Sequence, residues 1–233
     1  HFHGWHDQVA FGSGDSLPAG IPPGMAENMV LCDPNDLDQV RNTLENREDI
    51  AAVILEPTGA SFGRVPTSDA FLKQLRELTC EQDVLLIFDE VITGFRCSPG
   101  GAQGFYGVTP DLTLMAKIMA GGLPGGALAG RADVMDAMTF QDDATWNREG
   151  RVPHQGTYNA NPISARAGLA ALKIVADTGI TEVANRFGEV LRNALNEVIH
   201  SQQVNWVVYG EFSGFHVLIG PGDEEISLED IYS

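Results

Sequence analysis

Lysine is almost missing from this chain of 233 residues: it stands only at positions 73, 117 and 173, and arginine supplies the rest of the 14 basic residues against 32 acidic ones. The resulting net charge of -18 excludes a surface built to neutralise nucleic-acid phosphates or anionic lipid headgroups, both of which require cations. Cysteine is scarce too. Cys32, Cys80 and Cys97 are odd in number and have no CxxC spacing, which argues against a disulfide framework and a zinc site and makes a reducing cytoplasm the expected compartment. No apolar run reaches the length of a membrane span. No GxxxxGK[ST] loop is present to cradle a nucleotide. The chain opens at His1 without a methionine and ends at Ser233 inside an acidic run, and the expectation is a stretch of a longer protein.

With 43% hydrophobic residues, a chain of this length buries roughly 70% of its unfolded surface. The apolar residues fall in short continuous runs bounded by Gly and Pro, the pattern of parallel strands covered on both faces. Residues 51–57 (AAVILEP) end in Glu56, residues 84–90 (VLLIFDE) end in Asp89 and Glu90, and residues 111–116 lead into Lys117. Between the first two runs, Phe71, Leu72, Leu75 and Leu78 form one helical face behind a Thr67 or Ser68 cap. A right-handed crossover unit follows from that order. Ligands in such sheets bind at the carboxyl ends of the strands. An acid and a lysine at two of those ends make a site candidate.

The remaining segments frame this core. Residues 36–48 read as a polar helix, and residues 11–29, rich in Gly, Pro and Ser, as a long surface connection. Residues 126–130 read as a short returning strand, residues 131–138 as a brief helix, and residues 141–162 as a long polar loop. Pro162 fits a first helical position, a second amphipathic helix spans 181–200, and short strands at 205–209 and 215–219 suggest a different layer beginning near Gly179. The opening HFHGWHD sets His1, His3 and His6 beside Asp7. With no second ligand cluster to complete a metal site, it reads as a loop with packing aromatics.

Three readings of the Asp89 and Lys117 region compete. LLIFDE matches a Walker B strand, but its phosphate loop is not in the sequence. A cap at Asp89 and an ordinary surface lysine at Lys117 is a structural alternative. Against it, Lys117 is flanked by TLMA and IMAGGLPGG, and an ammonium buried among such residues is normally neutralised or used in a covalent bond. The third reading rests on three ordered motifs: LLIFDEVITGFR, TLMAKIMAGGLPGGALAGR and HQGTYNANPISARAG. In these the chain resembles the class III pyridoxal-phosphate-dependent aminotransferases, nearest the glutamate-1-semialdehyde 2,1-aminomutase branch and its transaminase relatives.

That resemblance implies an α/β fold of type I, a mostly parallel sheet with helices on both faces, plus part of a smaller C-terminal α+β domain. Residues 1–178 would be the large cofactor-binding domain, incomplete at its N-terminus, and residues 179–233 the start of the small one. It implies pyridoxal 5'-phosphate held as a Schiff base on Lys117, with Asp89 at the pyridine nitrogen. Phe2, in the Phe2-His3-Gly4 motif, would cover one ring face and Val91 the other, with Glu56 nearby. Thr157 would reach the phosphate of the neighbouring subunit's cofactor, which implies a homodimer. Many relatives that use glutamate as donor carry a second glutamate where this chain has Ser61, and a glutamine where it has Ile92. Both departures lean toward the mutase branch. The branch's N-terminal phosphate loop has no counterpart in these residues, so a catalytically incompetent binding or assembly unit stands as the alternative of another class.

Overall fold

The computed structural model describes residues 1–9, 18–220 and 231. The expected surface connection 11–29 therefore lies partly outside the described residues, as does most of the acidic C-terminal run; within the former, Pro23–Asn28 forms a 3-10 turn. A four-stranded sheet is built from β1 (Ala52–Leu55), β2 (Leu85–Glu90), β3 (Leu112–Ala116) and β4 (Gly126–Gly130), in that spatial order. β1, β2 and β3 pair in parallel, Ala52 opposite Leu85 and Asp89 opposite Leu114. β4 returns antiparallel, with Ala116 opposite Gly126. The short GGLP turn permits only this direction, since a parallel return needs a crossover of a dozen or more residues.

Two helices cover one face. α1 (Leu37–Asn46) starts where the Asp36 carboxylate accepts the Gln39 N–H at 2.8 Å. α2 (Asp69–Glu81) starts where Ser68 Oγ accepts the Phe71 N–H at 3.1 Å. Val40 and Leu44 of α1 and Phe71, Leu72, Leu75 and Leu78 of α2 close over Leu55, Leu86 and Phe88. Each fully buried Leu or Phe contributes about 1.5–3 kcal/mol relative to exposure. Because strand side chains alternate, Leu86 and Phe88 share that face and Asp89 lies on the other.

Beyond β2, α3 (Gly101–Tyr106) is a short helix. α4 (Pro162–Thr178) has Pro162 in its first turn and Asn161 Oδ1 accepting from the Ile163 and Ser164 N–H groups. Its small residues allow close backbone approach: a Cβ on Gly121 would strike the Ala167 carbonyl, and one on Gly168 the Met119 carbonyl. The turn that carries Lys117 is thereby seated on α4. Gly179, at φ +59°, ends α4 and opens α5 (Ile180–Ser201). A separate two-stranded antiparallel sheet joins β5 (Trp206–Tyr209) to β6 (His216–Ile219). The Asn196 side chain bonds both the N–H and the C=O of Val208, and Arg192 donates to the carbonyls of Phe212 and Gly214.

Candidate active site

β2 delivers Asp89 to the carboxyl end of the sheet with only 6% of the residue exposed. One carboxylate oxygen, Oδ1, accepts the Val91 N–H at 3.1 Å, and Oδ2 lies 2.8 Å from His3 Nδ1. A carboxylate only accepts, so this second bond requires a proton on His3 Nδ1. Two of about four acceptor positions are filled, which leaves about two open to further donors. The neighbouring strand β3 runs out at Ala116, and Lys117 follows in the left-handed region at φ +50°. A lysine in that region is uncommon and calls for surroundings that hold it; the contact of Gly121 with α4 supplies them.

The Lys117 side chain is exposed, and among the described residues it has no hydrogen-bond or ion-pair partner. The burial expected from its apolar neighbours is therefore corrected: the chain leaves the sheet at Lys117, so the strand residues before it and the turn residues after it pack elsewhere. Phe2 is 40% exposed and meets Trp5 edge-on, ring centroids 5.5 Å apart. Gly4 turns the chain at φ +101°. His1 stacks on His3 at 5.9 Å and accepts the Glu56 N–H at Nδ1. Val91 is half-buried and engages Asp89 through its backbone. Thr157 is exposed in a turn of the long loop, and among the described residues it bonds to none of the other candidate residues.

Glu56 lies at the end of β1, 4% exposed. Its oxygens turn to backbone amides: Oε1 accepts from Phe2 and Ser61, and Oε2 from Phe62. Two further buried acids escaped the sequence reading. Glu90, 1% exposed, accepts from the Thr93 hydroxyl, the Ala102 and Gln103 N–H groups and the Gln103 amide, which fixes the start of α3 against the strand. Asp111, 4% exposed, accepts from the Leu86 N–H and from Arg76 and Arg131. Burial pushes the Asp111 carboxyl up, but the Leu86 N–H and the two guanidiniums outweigh it and hold it below the usual carboxylate range. The only sequence signal for Glu90 is the doubled acid of LLIFDE, and its partners come chiefly from α3. A concavity lined by Thr58, Phe62, Gly210 and Phe212 lies toward the second sheet and includes neither Asp89 nor Lys117.

Residues 24–215 match the family model described as aminotransferase class-III. The chain belongs to that family. A relative, glutamate-1-semialdehyde 2,1-aminomutase of Methanothrix thermoacetophila, is 38% identical over 227 residues, covering 94% of this chain and 51% of the relative. Among solved structures, an omega-transaminase from Sphaerobacter thermophilus matches with a TM-score of 0.80 and 36% identity, over 93% of this chain and 51% of that one. A transaminase with PLP bound matches with a TM-score of 0.82 and 31% identity, over 95% and 52%. The chain thus spans about half the length of these class III proteins. Its mostly parallel α/β sheet is the fold-type-I architecture, and among the described residues no helix is long and apolar enough to cross a membrane.

Proposed function

We propose that the protein carries out pyridoxal-phosphate-dependent amino-group transfer of the glutamate-1-semialdehyde 2,1-aminomutase kind. The observation that carries this reading is Asp89: a buried carboxylate oriented by His3 and the Val91 N–H, with acceptor capacity left, at the strand end next to the one that leads into Lys117. These residues fit the ring end of the cofactor, because an anionic acceptor, an exposed aromatic face at Phe2 and an exposed amine at Lys117, without a partner among the described residues, are the chemistry its nitrogen, ring and aldehyde require. When bound, pyridoxal phosphate supplies an electron sink for a carbon that loses a proton. Asp89 would keep the ring nitrogen protonated, since an adjacent carboxylate favours the cationic form. His3 would hold Asp89 in place. Phe2 and Val91 would exclude water from the two ring faces. Lys117 Nζ would anchor the cofactor and then, as a free amine, hold and move the proton at the substrate carbon.

Thr157 would bond the cofactor phosphate of a partner subunit, so we read the assembly as a homodimer; the three free cysteines support reading its compartment as the cytoplasm. Residues 1–178 would form the cofactor-binding domain and 179–233 the start of a smaller one. The mutase reading draws on the identity to the Methanothrix thermoacetophila aminomutase and on Ser61 and Ile92. A second reading, transfer between separate amines and 2-oxo acids, is favoured by the two transaminase structures that this chain resembles, at TM-scores of 0.80 and 0.82.

Loading the protein with pyridoxal phosphate, reducing with borohydride and mapping the peptides tests the first proposal: the label is expected on Lys117 Nζ. Labelling of Lys73 or Lys173 instead, or of no lysine, would reject it in favour of a binding or assembly unit without catalysis. Assay with glutamate 1-semialdehyde against a panel of amines separates the branches, and turnover of the amines alone would remove the mutase reading.

A further inference from the structure

We infer that Glu56 is a positioning residue that sets the ring-covering Phe2 and the substrate-side turn at Ser61–Phe62 in one register; the inference rests on the proposed function. Its carboxylate oxygen Oε1 accepts the Phe2 N–H at 3.0 Å and the Ser61 N–H at 2.9 Å, while Oε2 accepts the Phe62 N–H at 3.2 Å. A single buried oxygen therefore ties two segments that lie far apart in the chain. Ser61 and Phe62 both adopt left-handed backbone, φ +52° and +62°. Consecutive non-glycine residues there persist only when their surroundings over-determine them.

The surroundings come from both sides. On the sheet side is the Glu56 carboxylate. On the other side His216 Nε2 lies 3.0 Å from the Phe62 carbonyl oxygen, and the Tyr209 hydroxyl donates to the Arg64 carbonyl at 2.8 Å. The Arg96 guanidinium sits 5.9 Å from the centre of the Phe62 ring, and Gly214 lies so close against that ring that a Cβ would overlap it. The second sheet thus holds the turn's outer edge and Glu56 its inner edge. Ser61 has its place because both grips agree. Both Glu56 carboxylate oxygens are engaged by backbone amides, so its effect on the site would pass through the segments that those amides belong to.

The test uses the full chain with Glu56→Gln. The carboxamide offers one oxygen in place of two, and its NH2 group then opposes an amide that also donates. Hydrogen exchange on the cofactor-free protein reads the clamp directly: the Phe2, Ser61 and Phe62 amides are expected to exchange about tenfold faster, the loss of roughly one hydrogen bond. Titration with pyridoxal phosphate should show a dissociation constant raised about tenfold, and the amine KM should rise similarly while kcat at saturation stays within about threefold. Glu56→Asp, which keeps both oxygens but withdraws them by one methylene, should show the same pattern even if the Gln variant does not fold. Faster exchange with unchanged cofactor affinity and KM would make Glu56 merely structural and overturn the inference. Unchanged exchange would overturn the clamp itself. Failure of the unaltered protein to take up pyridoxal phosphate would instead sink the proposed function, and the exchange measurement would still judge the clamp.

Discussion

Replacing Asp89 by asparagine removes one charge and almost no volume, so its consequences can be separated into fold and chemistry. The carboxamide oxygen can keep the 3.1 Å bond from the Val91 N–H. The amide nitrogen then faces His3 Nδ1, which must switch from donor to acceptor; a change of tautomer meets that requirement without moving the ring. Stability should fall by no more than about 1 kcal/mol, the worth of one exchanged hydrogen bond. The chemical loss is larger. A carboxylate beside a cationic ring nitrogen shifts its titration by about 1–3 pKa units, which at 1.36 kcal/mol per unit is about 1.4–4 kcal/mol. A Coulomb estimate for contact near 3 Å at an effective dielectric of about 20 gives roughly 5 kcal/mol, so the upper half of that range suits a residue 6% exposed. Single-turnover absorbance with an amine donor should then slow by about 100- to 1000-fold, with the melting temperature nearly unchanged. If Asp89→Asn bound the cofactor and turned over within twofold of the unaltered protein, the assignment of Asp89 to the ring nitrogen would be wrong.

Two further outcomes follow from the same structure. Asp111 has its carboxyl held below the usual range by the Leu86 N–H, Arg131 and Arg76 against an opposing burial effect; a depressed folded value means its stabilisation is complete above the unfolded value near 3.9 and is lost as pH falls through the folded one. Asp111→Asn should therefore cost about 3 kcal/mol at neutral pH, with the gap in urea midpoint closing in acid; a gap independent of pH would refute the charge argument. For Thr157, mixing Lys117→Ala and Thr157→Val subunits should restore activity that neither variant has alone, because in the proposed dimer one site of each hybrid would combine an intact Lys117 with a partner's intact Thr157. Hybrids no more active than the parents would place Thr157 in its own subunit's site or outside any.

What could be read from residues alone follows from where each signal resides. β1, β2 and β3 were legible because parallel strands in a covered sheet leave uninterrupted apolar runs, and α2 and α4 because Ser68 and Pro162 mark their starts. Asp89 stood out as an acid ending such a run. The exposure of Lys117 was not legible, because its flanking residues belong to a strand and a turn that pack away from it. Nor was the left-handed turn at Ser61 and Phe62, since neither is glycine and its causes, Glu56, Arg96, Tyr209 and His216, are scattered along the chain. The role of Glu56 was hidden for the same reason: backbone amides carry no residue-type signature.

The four buried acids near the strand ends differ in how far the protein itself satisfies them, and that difference separates chemistry from architecture. Glu90 accepts four hydrogen bonds, two from backbone amides and two from side chains. Asp111 accepts from one amide and two guanidiniums, and Glu56 from three amides. A carboxylate offers about four acceptor positions, so these three are at or near saturation, Glu56 with backbone amides and Glu90 and Asp111 with amides and side chains of the protein itself. Asp89 accepts one amide and one imidazole. Leaving a buried carboxylate half-satisfied is costly, and the sheet places that cost next to the strand that delivers the lysine. Of the four, Asp89 has the most capacity left for a donor from outside the chain, which is the property a cofactor nitrogen needs.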